Sequence, residues 1–291
     1  MPDPQDQGFE MLGQTFGLSG NVLVEDFQPG ADSWRTQDAD DPQGDARMFG
    51  RDLRSAGPWT WSLGVNREDE RDALDTLSAL GSAWRNTTGT YRPGDVVTLR
   101  YNVGGRVRRV YGRPRNFAPT LDVRRRAGYI AVDADFVRVD PLHYNDVENS
   151  AVVTQQPASL GGLVTPLRSP LTTLRNEVDR AGQIDVGGTA PTWARVIFKG
   201  DVINPRLRVA GWEVGFTETI ALNRTVEVDP RPWVRAVKRD GALAPAGRIT
   251  SKTRMHLMLL PPGRHQIVFT GQSQTGNATA TVCWRDASHT L

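Results

Sequence analysis

Hydrophobic and polar positions change period along this chain, and each change predicts an element. Val22, Leu23 and Val24 form a short apolar run between turn signals and read as a strand. Residues 32–50 carry five aspartates and few apolar side chains, and read as a loop. Trp59, Trp61 and Leu63 alternate with Thr60 and Ser62, which puts the three large side chains on one core-facing side of a strand. Asn66 is then placed as an N-cap, Glu68, Asp69 and Glu70 suit a first helical turn, and Ala73, Leu77, Leu80 and Trp84 recur at helical spacing. This predicts a single clear helix ending near Gly81 or Arg85.

Beyond residue 95 the period becomes two. Val97, Leu99, Tyr101 and Val103 share one face, Gly104-Gly105 makes a turn, and Val107 and Tyr111 alternate with arginines on the return strand, so a β-hairpin is expected. Residues 129–140 alternate through Ile130, Val132 and Ala134, with a bulge expected where Asp135-Phe136-Val137 follows. Residues 146–176 turn to Ser, Thr, Pro, Gln and Gly, the composition of a linker or crossing segment, and divide a domain at 1–145 from one at 177–291. The second reads as strands at 193–199, 212–216, 219–228, 233–239, 255–260, 266–270 and 278–284. Turn signals such as Asn204-Pro205, Asp229-Pro230 and Asp240-Gly241 separate them, the spacing of an antiparallel sandwich.

Composition adds to this picture. The 29 glycines and 19 prolines of the 291 residues favour many short strands over a helical bundle. Hydrophobic residues at 38%, charged residues at 23% and a mean hydropathy of -0.44 fit a chain that folds in water without membrane insertion. The opening Met1-Pro2-Asp3-Pro4 has neither a basic nor an apolar leader region, so no export signal is expected. A lone Cys283 and four scattered histidines exclude an internal disulfide framework and the common zinc sites. Net charge is only +2, yet three of the 35 basic residues are lysines; arginine's planar fork suits paired carboxylates, and an arginine-rich genome gives the same bias.

Catalytic signals are thin. Gly17-Leu18-Ser19-Gly20 lacks the spacing of a nucleophile elbow, and Asp38, Asp40, Asp41 and Asp45 lack the glycine and glutamate positions of a calcium loop. His256 and His265 flank Pro261-Pro262-Gly263 without an orienting carboxylate. Arg106, Arg108, Arg109, Arg113 and Arg115, followed by Arg124, Arg125 and Arg126, make the richest basic region. Its alternation fits a solvated or intersubunit salt-bridged hairpin face, with Asp122, Asp133 and Asp135 near enough to neutralise it, better than a sequence-specific nucleic-acid site. The expectation is a chain with no catalytic residue, no metal and no cofactor.

Several ordered motifs carry a resemblance. They are Trp59-Thr60-Trp61 before the acidic-capped helix, Asp140-Pro141-Leu142-His143-Tyr144, and Gly187-Gly188-Thr189-Ala190-Pro191-Thr192 leading to Gly200-Asp201-Val202-Ile203-Asn204-Pro205. Asp229-Pro230-Arg231-Pro232-Trp233, Leu260-Pro261-Pro262-Gly263-Arg264-His265 and Val282-Cys283-Trp284-Arg285-Asp286 follow. In this order they resemble the distal tail proteins, or minor tail proteins, of long-tailed non-contractile bacteriophages, particularly those of actinobacteria. The opening fifty residues match that pattern less closely.

The resemblance implies a mostly β, α+β chain: an N-terminal split-barrel-like belt domain with one helix, then a C-terminal galectin-like antiparallel β-sandwich. It implies a virion protein without enzymatic activity, six copies of which close into a baseplate ring. Its partners would be the tail tube protein, the tail-tip hub protein and the tape measure protein, with a channel left for tape measure and genome. Arg106, Arg108, Arg109 and Tyr111 are the candidate ring interface. A second reading is a carbohydrate-binding module touching the host cell wall, for which Trp212 and Trp233 are the candidate contacts.

Overall fold

In a computed structural model, residues 4, 7–85, 94–155, 182–243, 248–273 and 277–291 are described. The chain is mostly β and divides into two compact units, 1–146 with 288–291, and 147–287. Unit 2 is thus an insertion within unit 1.

Unit 1 contains β1 (Gly8–Met11), β2 (Gln14–Phe16), β3 (Val22–Pro29), β4 (Ser33–Arg35), β5 (Ala39–Asp40), β6 (Arg47–Met48), β7 (Leu53–Ser55) and β8 (Trp59–Asn66). Helix α1 (Glu70–Arg85) follows, then β9 (Val97–Val103), β10 (Arg106–Thr120), a 3-10 turn (Val123–Ala127), β11 (Tyr129–Arg138) and β12 (His143–Asn145). One antiparallel sheet runs β2-β1-β9-β10-β11-β8-β3, with β12 against β10. Its inner face buries Phe9, Trp59, Trp61, Leu63, Leu99, Tyr101 and Phe136 in a continuous aromatic core, with Trp59 and Trp61 ring centroids 6.1 Å apart at 81°. Edge-to-face geometry of this kind satisfies the ring quadrupoles.

Helix α1 covers that core with Ala73, Leu80 and Trp84, and Trp84 Nε1 donates to the Asp135 carbonyl at 3.0 Å. Its cap is Asp69, whose Oδ1 accepts from Asp72 N at 2.9 Å, while the expected cap Asn66 ends β8 opposite Tyr129. The helix ends at Arg85, one of the two expected ends; Gly81 lies inside it, packed so closely on the Phe117 ring that a Cβ would stand 3.1 Å from it.

The expected hairpin is β9-β10. Gly104 (φ 63°) and Gly105 (φ 74°) both take the left-handed conformation that a two-residue turn matching strand twist demands. Two expectations fail nearby. Residues 32–50, expected as a loop, contribute β4, β5 and β6 to two short ladders, β4-β7 and β5-β6. No phase shift occurs at Phe136, since Ile130, Val132, Ala134, Phe136 and Arg138 are all buried on one face; the bulge lies across the ladder, between Pro114 and Phe117 of β10.

Unit 2 begins with β13 (Asn149–Thr154), paired to β25 where linker was expected; of that linker, residues 156–176 lie outside the described residues. Then come β14 (Gly182–Val186), β15 (Thr192–Trp193), β16 (Arg195–Lys199), β17 (Val202–Val209), β18 (Trp212–Gly215), β19 (Thr219–Ile220), β20 (Thr225–Asp229), β21 (Ala236–Arg239) and β22 (Ala242–Leu243). The unit closes with a 3-10 turn (Met255–Leu257), β23 (Leu259–Leu260), β24 (Gly263–Gln272) and β25 (Thr279–Trp284). Sheets β13-β25-β16-β20-β21-β22 and β14-β24-β17-β18, with β19 on β17, enclose one core containing Phe198, Leu207, Val228, Phe269 and Val282, a sandwich as the turn spacing predicts. Asn204-Pro205 is not a turn. Asn204 (φ 51°) sits in a bulge of β17 between Ile203 and Arg206, which keeps the strand going while absorbing a proline.

Candidate functional site

The hairpin face singled out in the sequence is enclosed within unit 1 at Arg108 and Tyr111 but open at Arg106 and Arg115. Arg106, beside the turn, is exposed; Arg108 is 8% exposed and its Nη1 donates to the Thr290 carbonyl at 2.7 Å. Arg109 reaches Asp146 Oδ1 through Nε (2.9 Å) and Nη2 (2.5 Å), and Tyr111 is buried edge-on to Tyr144. The solvated arginine face expected from the alternation therefore needs correction. Of the expected neutralising carboxylates, Asp122 pairs with Arg124, whereas Asp133 accepts from Ser62 Oγ and Asp135 from Asn116 N.

Asp146 is the hub of this network. Arg100 grips it through Nε and Nη2 (2.8 Å) and turns Nη1 to Glu10 Oε2 at 2.5 Å. Burial raises the Asp146 pKa, but the hydrogen bonds from Arg100 and Arg109 outweigh it and hold the carboxyl below its ordinary value.

A second polar cluster forms around Asp32. Its Oδ1 accepts from Arg138 Nη2 at 2.7 Å and from Gly57 N at 3.1 Å, and its Oδ2 accepts from Arg54 Nε at 2.7 Å. Arg54 also contacts His289 Nδ1 at 3.0 Å, and Arg138 lies over the Trp59 ring, 5.4 Å from its centroid. His143 stacks on Trp59, shares a 2.7 Å hydrogen bond between Nδ1 and Tyr101 Oη, and faces Arg138 with Nε2. An arginine only donates, so Nε2 is the acceptor and the ring proton sits on Nδ1. Burial first, then the charges of Arg138 and Arg108, push the His143 pKa down to about 4. Asp140, at the end of β11, accepts from Tyr144 Oη at 2.5 Å, and burial pushes its pKa up to about 6.

These clusters pin the root of an excursion between β3 and β8. Beyond the root, β4 to β7 form a ribbon whose residues are almost all exposed, including Trp34 (61%), Met48 (56%) and Phe49 (83%). The sequence flagged only its aspartates. Asp38 and Asp41 serve the backbone, accepting from Gly50 N and Gln43 N.

In unit 2, Trp212 and Trp233 are buried at 7% and 6%, and Trp212 Nε1 donates to the Leu259 carbonyl. Neither indole offers the open ring face a sugar stacks on. An open cleft of 610 Å³ lies between the outer strands β13 and β14, lined by Asn149, Gln183, Asp185, Trp284 and Asp286 among others. Cys283 is buried, which raises its pKa, and His265 Nε2 meets the Pro261 carbonyl. Among the described residues, no group of three His, Cys, Asp or Glu side chains is placed to hold a metal ion.

No protein-family model matches the chain, and no curated protein matches it in sequence. Solved structures do share its fold. The SPP1 Dit (gp 19.1) protein, described as a paradigm of the hub adsorption apparatus in phages infecting Gram-positive bacteria, superposes with a TM-score of 0.62 at 14% identity, covering 96% of this chain and 98% of that one. A chain of the phage P2 baseplate in its activated conformation with calcium gives a TM-score of 0.57 at 8% identity, covering 95% and 97%. A chain of the same baseplate with strontium gives 0.56 at 8%. The chain thus has, along nearly its whole length, the fold of phage hub and baseplate components.

Proposed function

We propose that this chain is a structural component of a phage tail tip, a distal tail protein whose copies close into a homohexameric ring. In this reading unit 1 is a split-barrel-like belt that forms the ring, and unit 2 is a galectin-like sandwich displayed from it. The ring joins the tail tube protein to the tail-tip hub protein and leaves a channel for the tape measure protein and the genome. The observation that carries the reading is the end-to-end likeness to a hub protein, 96% of one chain on 98% of the other. Among the candidate ring contacts, Arg108 and Tyr111 are buried in their own chain and Arg106 is exposed, which favours Arg106 as the one that meets a neighbouring copy.

The test is light scattering of the purified protein with negative-stain images of the same peak. Six chains of 32.1 kDa make about 193 kDa, and a ring-shaped particle of that mass is expected. A particle that stays monomeric at every concentration, alone and with tail tube protein added, refutes the ring.

A further inference from the structure

We infer that the β4–β7 ribbon is the inserting half of the contact between copies, seated on the loop of residues 121–126 of the neighbouring chain. The inference rests on the ring reading and names the surfaces that make it.

The ribbon is held by two ladders, three and two residue pairs long, with both edges open. A two-stranded ribbon in water is marginal without a face to pack on. Its large apolar residues nevertheless point outward, Phe49 at 83%, Trp34 at 61% and Met48 at 56% exposure, so among the described residues of the chain none covers them. Clustered exposed aromatics with methionine mark interaction surfaces. Residues 33–53 carry five aspartates against three arginines, which makes the ribbon acidic as well as apolar.

Its complement lies on the same chain. Leu121 is 53% and Val123 83% exposed, and they adjoin Arg124, Arg125 and Arg126, three arginines set against two carboxylates, Asp122 of the loop and Glu70 of α1. Asp122 holds Arg124, which also covers the Tyr129 ring, and Glu70 holds Arg125, while Arg126 is exposed. An acidic apolar ribbon thus faces a partner of opposite charge in a loop that carries two exposed apolar residues. Both patches are bare within one chain, so each is left for another copy. The two patches differ from each other, so a contact made once between two copies is head-to-tail, the type a closed ring requires.

The experiment pairs Phe49→Cys with Val123→Cys in the full chain under mild oxidation, with each single variant as control; the native Cys283 is buried. Denaturing electrophoresis is expected to show a covalent ladder reaching the full ring. In parallel, D40K/D45K and R124E/R126E are each expected to weaken association by about tenfold or more, and an equimolar mixture to restore it. A ring that forms without cross-links, or charge variants that assemble normally, overturns this contact and leaves the ring reading standing. A disulfide closed within one chain also overturns it. A chain that does not associate at all, wild type included, overturns both.

Discussion

Replacing His143 should change how the stability of unit 1 responds to mild acid. The ring is buried at 5% exposure between Trp59, Tyr101 and Arg138, with its acceptor nitrogen facing a guanidinium. Its pKa falls from an ordinary 6.5 to about 4. The unfolded chain therefore takes up a proton near pH 6.5 that the folded chain refuses until about pH 4. Stability from this group is complete above pH 6.5 and drains away as pH falls toward 4, by about 3 kcal/mol at 1.36 kcal/mol per pKa unit. Asp140 works the other way. Its folded pKa of about 6 lies above its ordinary 3.8, so its contribution is complete below pH 3.8 and is lost as pH rises through 6. On the same scale that opposing effect is about 3 kcal/mol. In wild type the two largely cancel between pH 4 and 6, and His143→Gln should uncover the aspartate: the variant gains stability on acidification over a window where wild type stays nearly flat. Urea unfolding followed by tryptophan fluorescence at pH 4.5, 5.5, 6.5 and 7.5 measures the difference in slope. Histidine NMR, with the variant assigning the resonance, measures the pKa directly. A His143 resonance titrating at 6 or above, or equal slopes in both proteins, would refute the reasoning.

Four further outcomes follow from the packing. Asp146→Asn strips Arg100 and Arg109 of their shared carboxylate and is expected to cost about 3 kcal/mol in urea unfolding, since breaking an enclosed ion pair strands its partners. Gly112→Ala drives a Cβ to 2.2 Å from the Val137 carbonyl oxygen and should leave unit 1 unfolded or expressed only as aggregate, as circular dichroism and solubility would show. A chain ending at Ser288 loses the acceptors of Arg54 and Arg108 and should melt several degrees lower in calorimetry. Trp212→Phe removes the hydrogen bond to the Leu259 carbonyl and should cost about 1 kcal/mol in urea unfolding without altering oligomer mass.

The sequence reading succeeds where one period acts alone. Trp59, Trp61 and Leu63 alternate cleanly and are buried; Ala73, Leu80 and Trp84 repeat at helical spacing and cover the core. It fails where a second neighbour intervenes. Arg108 reads as a solvated strand residue, but β10 carries β9 and β12 along its edges and a backbone carbonyl from residue 290 meets its guanidinium, a contact 182 residues away. Asn204-Pro205 carries every local sign of a turn, yet a left-handed asparagine lets β17 bulge and continue. The Asp32 cluster gathers residues from 32, 54, 57, 138 and 289, and no local pattern announces such a meeting. The ribbon is the opposite case: its composition is visible, but short ladders with so few apolar residues look like loop until their pairing is known.

The insertion of unit 2 between residues 146 and 288 sets an order of events during synthesis. A nascent chain on the ribosome has made every strand of the unit 1 sheet up to β12 some 140 residues before His289 and Thr290 emerge. Until then Arg108, enclosed and charged, lacks the carbonyl that receives it, and Arg54 lacks half of its partners. The first unit is therefore completed only after the second has been translated, and a prematurely terminated chain carries an unfinished clamp.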